Sequence, residues 1–278
     1  MTPACIRDLA RCLGAALVAS ASLAVPAQET GKKDFSQAER LLLMTDQLGT
    51  LKAPSQLVYD FKHTGTHEAG FDDRVTLRLK AKPGSKATST GSGQACCAAD
   101  AQFLSGDRKV ELPTIEEAAG NPVTLYFLEH DIREMKRLTK GSSNYFRKRI
   151  RMALYEAARV DEVNFTWQGK PVAGRQIVLE PYRDDPNRAR FETMVRKQYV
   201  FTLSDAVPGA VAAIRTVIHP ATGDAAMVRD EMVLQGVEPP PMPAMKPLDA
   251  APAAAAPPAA PAAPAAPATE APASAPAR

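Results

Sequence analysis

The stretch Arg74-Val75-Thr76-Leu77-Arg78-Leu79-Lys80-Ala81-Lys82 decides the fold class. Val75, Leu77, Leu79 and Ala81 fall on one side of an extended chain, and Thr76, Arg78, Lys80 and Lys82 on the other. Successive strand side chains point to opposite faces, so this alternation describes a sheet with one wet face. Ser55 to His63 repeats the pattern, setting Leu57, Tyr59 and Phe61 against Val58, Asp60 and Lys62. Further strands are read at Glu162–Gln168, Val172–Tyr182, Lys197–Leu203, Val211–His219 and Ala225–Leu234. Their links, Gly169-Lys170, Pro208-Gly209 and Thr222-Gly223-Asp224, are short, which implies antiparallel neighbours. Pro83-Gly84 marks a turn, and Ser85 to Gln94 a polar loop. A hairpin is predicted around Gly106-Asp107, joining Gln102-Phe103-Leu104 to Lys109-Val110-Glu111-Leu112.

Helical period appears in two places. Ser36-x-x-Glu39 is a capping-box pattern that opens a helix with Leu41, Leu42, Met44 and Leu48 as its apolar face and Gly49 as its stop. Asn121-Pro122 starts a second helix, with proline at the first helical position, running to Lys140-Gly141 through Val123, Tyr126, Phe127, His130 and Met135. Ser142 or Ser143 caps a third that carries Phe146, Ile150, Met152, Leu154 and Ala157. The expected fold is α+β: a curved antiparallel sheet of about nine strands, an N-terminal helix, and a helical hairpin inserted at about 121–159.

The two ends read differently. Arg7 and Arg11, the apolar run Cys12 to Val25 and the small residues Val25 and Ala27 form a secretory signal pattern over residues 1–27. That run is too short to span a bilayer, and no other segment is long and apolar enough to do so. Of the 24 prolines, 13 lie in residues 239–278 together with 18 alanines. Such a segment builds no core and favours extended polyproline-II conformations, so it reads as a disordered Ala/Pro tail. Residues 28–238 remain, enough for one α+β domain. The composition excludes a wholly disordered chain, a polytopic membrane protein and a disulfide-dense miniprotein.

Three sets of candidate residues follow. A lipid-like ligand beneath the helical insertion would be lined by Tyr59, Phe61, Leu77, Leu79, Phe165, Trp167, Ile177, Leu179, Tyr199 and Phe201, the same residues an ordinary core would use. From Glu129 to Arg159 nine Lys/Arg oppose four acids, while the whole chain is only +3. Arg133, Lys136, Arg137, Arg147, Lys148 and Arg151 could face anionic lipid or an acidic envelope partner, or form a solvated face with intrahelical pairs such as Glu134 with Arg137. Nucleic acid does not suit an exported protein of modest pI. Cys96 and Cys97 are adjacent, compatible with a vicinal disulfide, an intermolecular one, or thiols without a role. A thiol-dependent enzyme is the alternative they raise. His63, His67, Glu68, Asp72 and Asp73 form an incomplete ligand set without a metal motif, and no cofactor or hydrolase motif stands out.

The element order across about residues 35–238 resembles the periplasmic lipoprotein-carrier (LolA-like) superfamily. The segments Asp131–Thr139, Asn144–Arg151 and Tyr199–Asp205 are similar to uncharacterised exported bacterial proteins. The carrier resemblance implies a curved sheet whose apolar concave face, covered by helices, holds an acyl chain, and a non-catalytic periplasmic protein with a lipid or lipoprotein partner. No site residue is transferred by it.

Overall fold

The structure, a computed structural model, describes residues 34–66, 68–81, 97–118, 120–220 and 227–245. The signal pattern, the loop at 85–94, Cys96, His67, Thr222-Gly223-Asp224 and most of the Ala/Pro tail lie outside these residues.

A ten-stranded antiparallel sheet carries the fold. Its strands are β1 (Ser55–Gly65), β2 (Phe71–Lys80), β3 (Cys97–Phe103), β4 (Ile115–Ala118), β5 (Arg159–Trp167), β6 (Lys170–Leu179), β7 (Lys197–Leu203), β8 (Val211–Ile218), β9 (Val228–Leu234) and β10 (Val237–Glu238). They lie in the order β10-β5-β6-β7-β8-β9-β1-β2-β3-β4. Two meanders, β1 to β4 and β5 to β9, are therefore sewn together by the β9–β1 pair. Between them the chain runs through α2 (Val123–Thr139) and α3 (Ser143–Glu156), so the class is α+β with one antiparallel sheet.

The topology forces the sheet to coil. Gln235 N donates to Val58 O of β1 at 3.0 Å, while the next residue, Gly236, accepts from Gln168 N at the β5–β6 turn at 2.7 Å. In the strand order β1 and β5 are five places apart, about 24 Å in a flat sheet. Adjacent Cα atoms are only about 3.8 Å apart. The tip of the β5–β6 hairpin must therefore curl round to meet the β9–β1 seam. Gln168 and Gly169, at φ 49° and 74°, supply the left-handed pair that a tight two-residue hairpin turn requires.

Pairing registers fix the two faces. The row Phe61, Met232, Ile214, Phe201, Ile177 crosses five strands and packs toward the helices. Phe61 lies 6.0 Å from Phe103 and 6.3 Å from Phe127 of α2, ring centre to ring centre. Strands β7 and β8, in the middle of the order, are buried along their whole length on both faces. Asn121 ties the entry of α2 to the sheet: its side-chain amide donates to Tyr59 OH at 3.0 Å and to Gly209 O at 2.9 Å.

Several sequence expectations need correction. The capping box forms in full, Ser36 with Glu39, but α1 (Gln37–Glu39) passes at once into a wide π turn, Arg40–Met44. Leu48 is buried in the following loop, and Met44 is 54% exposed. Gly49 closes a turn held by Asp46 Oδ1 at 2.8 Å. Lys109–Leu112 is not a strand; only Phe103 and Val110 bridge. Leu104 and Gly106 both take positive φ there, which turns the chain away, and β3 pairs instead with β4. Pro122 caps α2 rather than beginning it, and left-handed Lys140 ends it before Gly141. With β4 and β10 added, ten strands replace the nine expected.

Gly174 allows β6 to pass close to its neighbours. A Cβ there would lie 2.6 Å from Leu203 O and 2.7 Å from the Phe165 ring. Gly174→Ala should lower stability by about 1–3 kcal/mol through overpacking, read as a lower urea midpoint with an unchanged m-value.

Candidate functional site

The interior beneath the helices is a packed core with a polar seam. Tyr59, Phe61, Leu77, Leu79, Ile177, Leu179, Tyr199 and Phe201 are all at most 1% exposed and belong to one apolar cluster with α2 and α3. Phe165 and Trp167 do not share their face. Phe165 pairs with Val172, five residues from Ile177, so strand alternation sends them to opposite sides. The ten residues expected to line one cavity are thus divided between two faces.

Through this core runs the polar seam. Asp131 of α2 accepts from Tyr199 OH at 2.7 Å and is ion-paired to Lys197 of β7, both charged side chains being at most 4% exposed. Lys197 Nζ lies 5.5 Å from the centre of the Tyr199 ring, and Tyr182 OH meets Tyr199 OH at 3.2 Å. Burial, reinforced by Asp131, pushes the Tyr199 phenol well up, so it stays a neutral donor. Along the same row of the sheet, Asp230 binds His63 Nδ1 at 2.6 Å and Thr216 Oγ1 at 3.3 Å. The hydrogen bond to Asp230 raises the His63 pKa. Burial pushes Asp230 up, but the His63 hydrogen bond, with the charges of Lys197, His63 and His130, holds it below the ordinary carboxylate value. These residue types were legible one at a time. Their convergence depends on the β1–β9–β8–β7 register, which no local pattern carries.

The helical pair is docked by a second buried contact. Arg149 of α3 pairs with Asp185 Oδ2 at 3.0 Å and donates to Pro181 O at 3.0 Å, while Tyr145 OH donates to Asp185 Oδ1 at 2.5 Å. Much of the basic stretch is neutralised within the molecule. Arg147 makes a two-pronged contact with Glu129 at 2.7 and 3.1 Å. Arg133 also approaches Glu129, and Arg137 pairs with Glu134 and Glu68. Of the six cations expected to face an anionic partner, Lys136, Lys148 and Arg151 are exposed without an ion pair among the described residues.

Cys97 is fully buried and disulfide-bonded. A buried disulfide sulfur offers no thiolate. His63, Asp72 and Asp73 do not converge. His63 engages Asp230, Asp73 accepts from Ser105 N at 3.1 Å, and Asp72 alternates to the other face.

Two hollows stand out among the described residues, and neither lies between the sheet and α2–α3. One, of about 590 Å³, lies on the face away from the helices, over β9, β1 and β2. The other, of about 780 Å³, lies where the turn after α1 meets β5, β6 and the β7–β8 link. Its lining includes apolar Leu41, Val163, Val172, Ala173 and Leu203 and polar Glu162, Asn164, Arg175 and Asp205. Sequence reasoning missed this groove because it placed Leu41 on a regular helix face turned inward. The chain matches no family model, no curated protein and no solved structure.

Breaking the buried ion pair one side at a time should be costly. Lys197→Met leaves Asp131 without its counter-charge and should destabilise by about 3–5 kcal/mol, while Asp131→Leu with Lys197→Met should recover much of that loss. Denaturant unfolding of the single and double variants gives the coupling directly.

The His63–Asp230 pair carries a pH signature. A raised histidine pKa stabilises the fold fully below the unfolded value of about 6.5 and loses that contribution as pH climbs through the folded value. A depressed aspartate stabilises above about 3.9 and loses its contribution as pH falls through its folded value. The pair is therefore worth most between about pH 4 and 6.5. His130 and His219, both lowered chiefly by burial, slope the other way. The difference between wild type and His63→Gln isolates the pair. The wild-type advantage in Tm should shrink from about pH 6 to 9; a constant advantage would refute the assignment.

Proposed function

We propose that the protein is an exported, periplasmic, non-catalytic binder of an amphipathic, lipid-like ligand, and that the ligand lies in the groove between the turn after α1 and β5–β7. The observation that carries this reading is the groove itself. Its volume of about 780 Å³ suits a small-molecule or acyl ligand, for which pockets of about 300–1,000 Å³ are usual. Its lining mixes apolar Leu41, Ala173 and Leu203 with charged and amide groups of Glu162, Asn164, Arg175 and Asp205, the two kinds of contact an amphipathic molecule needs. The segment that supplies Leu41 and Thr45 also carries Phe35, Leu43 and Met44, which are 53%, 47% and 54% exposed. Exposed apolar side chains on the segment that borders the groove add apolar surface next to it, a feature of binding sites.

This reading keeps the ligand class implied by the resemblance to LolA-like carriers and moves its place. The helical pair is fastened over the sheet by Asp131–Lys197 and Arg149–Asp185, so the space beneath it is occupied by side chains. The signal pattern of residues 1–27 supports the exported location.

Ala173 is exposed on the groove wall, so a large side chain there fills the groove without entering the core. A dansyl-labelled fatty acid should bind wild type saturably, and Ala173→Trp should bind it at least about tenfold more weakly, about 1.4 kcal/mol, with an unchanged circular dichroism spectrum. Equal binding by the variant would overturn the location. Absence of binding to wild type would overturn the ligand class.

A further inference from the structure

The face of the sheet turned away from the helices holds an unusual concentration of unsatisfied polar atoms. Among the described residues, eleven buried side-chain nitrogens and oxygens lack a hydrogen-bond partner, and eight of them lie on or beside the adjoining strands β6–β9, on Gln176, Arg196, Gln198, Thr202, Arg215, His219 and Arg229.

 Arg215 contributes two of these atoms, Nε and Nη2, and each of the others one, so the eight atoms belong to seven residues in all. Natural proteins leave few such groups unpaired, because stripping water from a donor without replacing it is costly.

The registers bring these residues together. Gln198, Val217 and Arg229 form one row across β7, β8 and β9; Val200, Arg215 and Glu231 form the next; Thr202, Ala213 and Val233 the third, with Gln176 opposite Thr202. Arg215 is thus diagonal to Gln198, Thr202 and Arg229, at about 7–8 Å, within reach of long side chains. Arg215 is 4% exposed, and Gln198 and Thr202 are 0%. Arg196 and His219 sit one step further, where His219 N donates to Arg196 O at 3.3 Å. Arg215, Arg229 and Arg196 have no ion pair among the described residues. Glu231 stands opposite Arg215 in the register, and Glu180 takes the Gln198 amide at 3.3 Å. Three guanidinium groups therefore face two carboxylates, and Arg229 opposes the charge of Arg215 while Arg196 and Arg229 oppose that of His219. The hollow of about 590 Å³ lies beside the patch, beyond β9, and carries Asp60, Asp72, Asp73 and Glu231 with Lys62 and Arg74, so the positive charge belongs to the arginine patch and not to the hollow.

We infer that this face of β7–β9 is an oxyanion site, selective for a phosphate group, with Arg215 as its central ligand-binding residue and Arg229, Thr202 and Gln198 around it. A phosphate offers several acceptors to a guanidinium fork, and its bound hydroxyl can donate to Gln198 Oε1. Free phosphate and the headgroup of a phospholipid share this chemistry. The site is separate from the α1 groove and does not depend on it.

The test is phosphorus NMR and thermal unfolding of the full chain with inorganic phosphate at matched ionic strength, beside co-sedimentation with phosphatidylglycerol vesicles. Wild type should show saturable binding to at least one probe, and Arg215→Gln should weaken it at least about tenfold, the loss of one charge-assisted contact. Phosphate binding identifies the free ion as a sufficient ligand, and binding to vesicles alone identifies the headgroup as the source. Should Arg215→Gln fail to fold, Arg215→Lys and Arg229→Gln each supply the same comparison. Ala173→Trp, which fills the other groove, should leave phosphate binding unchanged. Wild type indifferent to both probes, or folded Arg215 and Arg229 variants that bind as wild type does, would overturn the inference.

Discussion

The Asp131 carboxylate, buried where α2 meets β7, is the constraint on which the arrangement of the domain depends. It brings a negative charge into an apolar interior, which is tolerable only with its counter-charge and hydrogen bonds in place. Lys197 and Tyr199 supply them from alternate positions of one strand, with Tyr182 behind. Apolar packing alone would accept many rotations of a helix over a sheet. An ion pair in a dry interior accepts few, so Asp131 fixes the register of α2, and Arg149–Asp185 does the same for α3. A helical pair fastened in this way is a structural layer of the core.

The sheet was legible because its information is local. Alternation in Ser55–His63 and Arg74–Lys80 records one wet face, and Lys197–Leu203 is bounded as its pattern indicates. The short strands were not. Cys97–Phe103 is rich in small residues, and Ile115–Ala118 contains two glutamates, so neither has the branched or aromatic content that marks a strand. Val237–Glu238 becomes a strand only because the coiled sheet brings β5 within reach. The end of the first helix was misread for a related reason. Leu48 is buried by tertiary packing from a loop, which helical spacing cannot distinguish from a helix face.

The candidate sites divide along the same line. An apolar residue reveals that it is buried, but not on which side of a sheet: Phe165 and Trp167 look like Tyr199 and Phe201, and the β5–β6 register separates them. Charge counts revealed a basic hairpin, but not that Glu129, Glu134, Glu68 and Asp185 neutralise much of it. The arginines on β7–β9 were invisible as a group, since Arg196, Arg215 and Arg229 are far apart in the chain and meet only through strand pairing. Local sequence carries period and punctuation; long-range register carries chemistry.

The coiled sheet still has two ends, and their composition bears on how the molecules behave toward one another. At one end β4 is four residues long, with Glu116 and Glu117 exposed. At the other, β10 is two residues long and is followed by Pro239, Pro240 and Pro241. Proline has no N–H, so an incoming strand finds no ladder to extend beyond Glu238, while the short β4 with its exposed Glu116 disfavours pairing with a second copy at the opposite end. The start of the Ala/Pro tail thus doubles as a terminator of strand addition, and a sheet of ten strands can exist at high concentration with little tendency to grow by an eleventh.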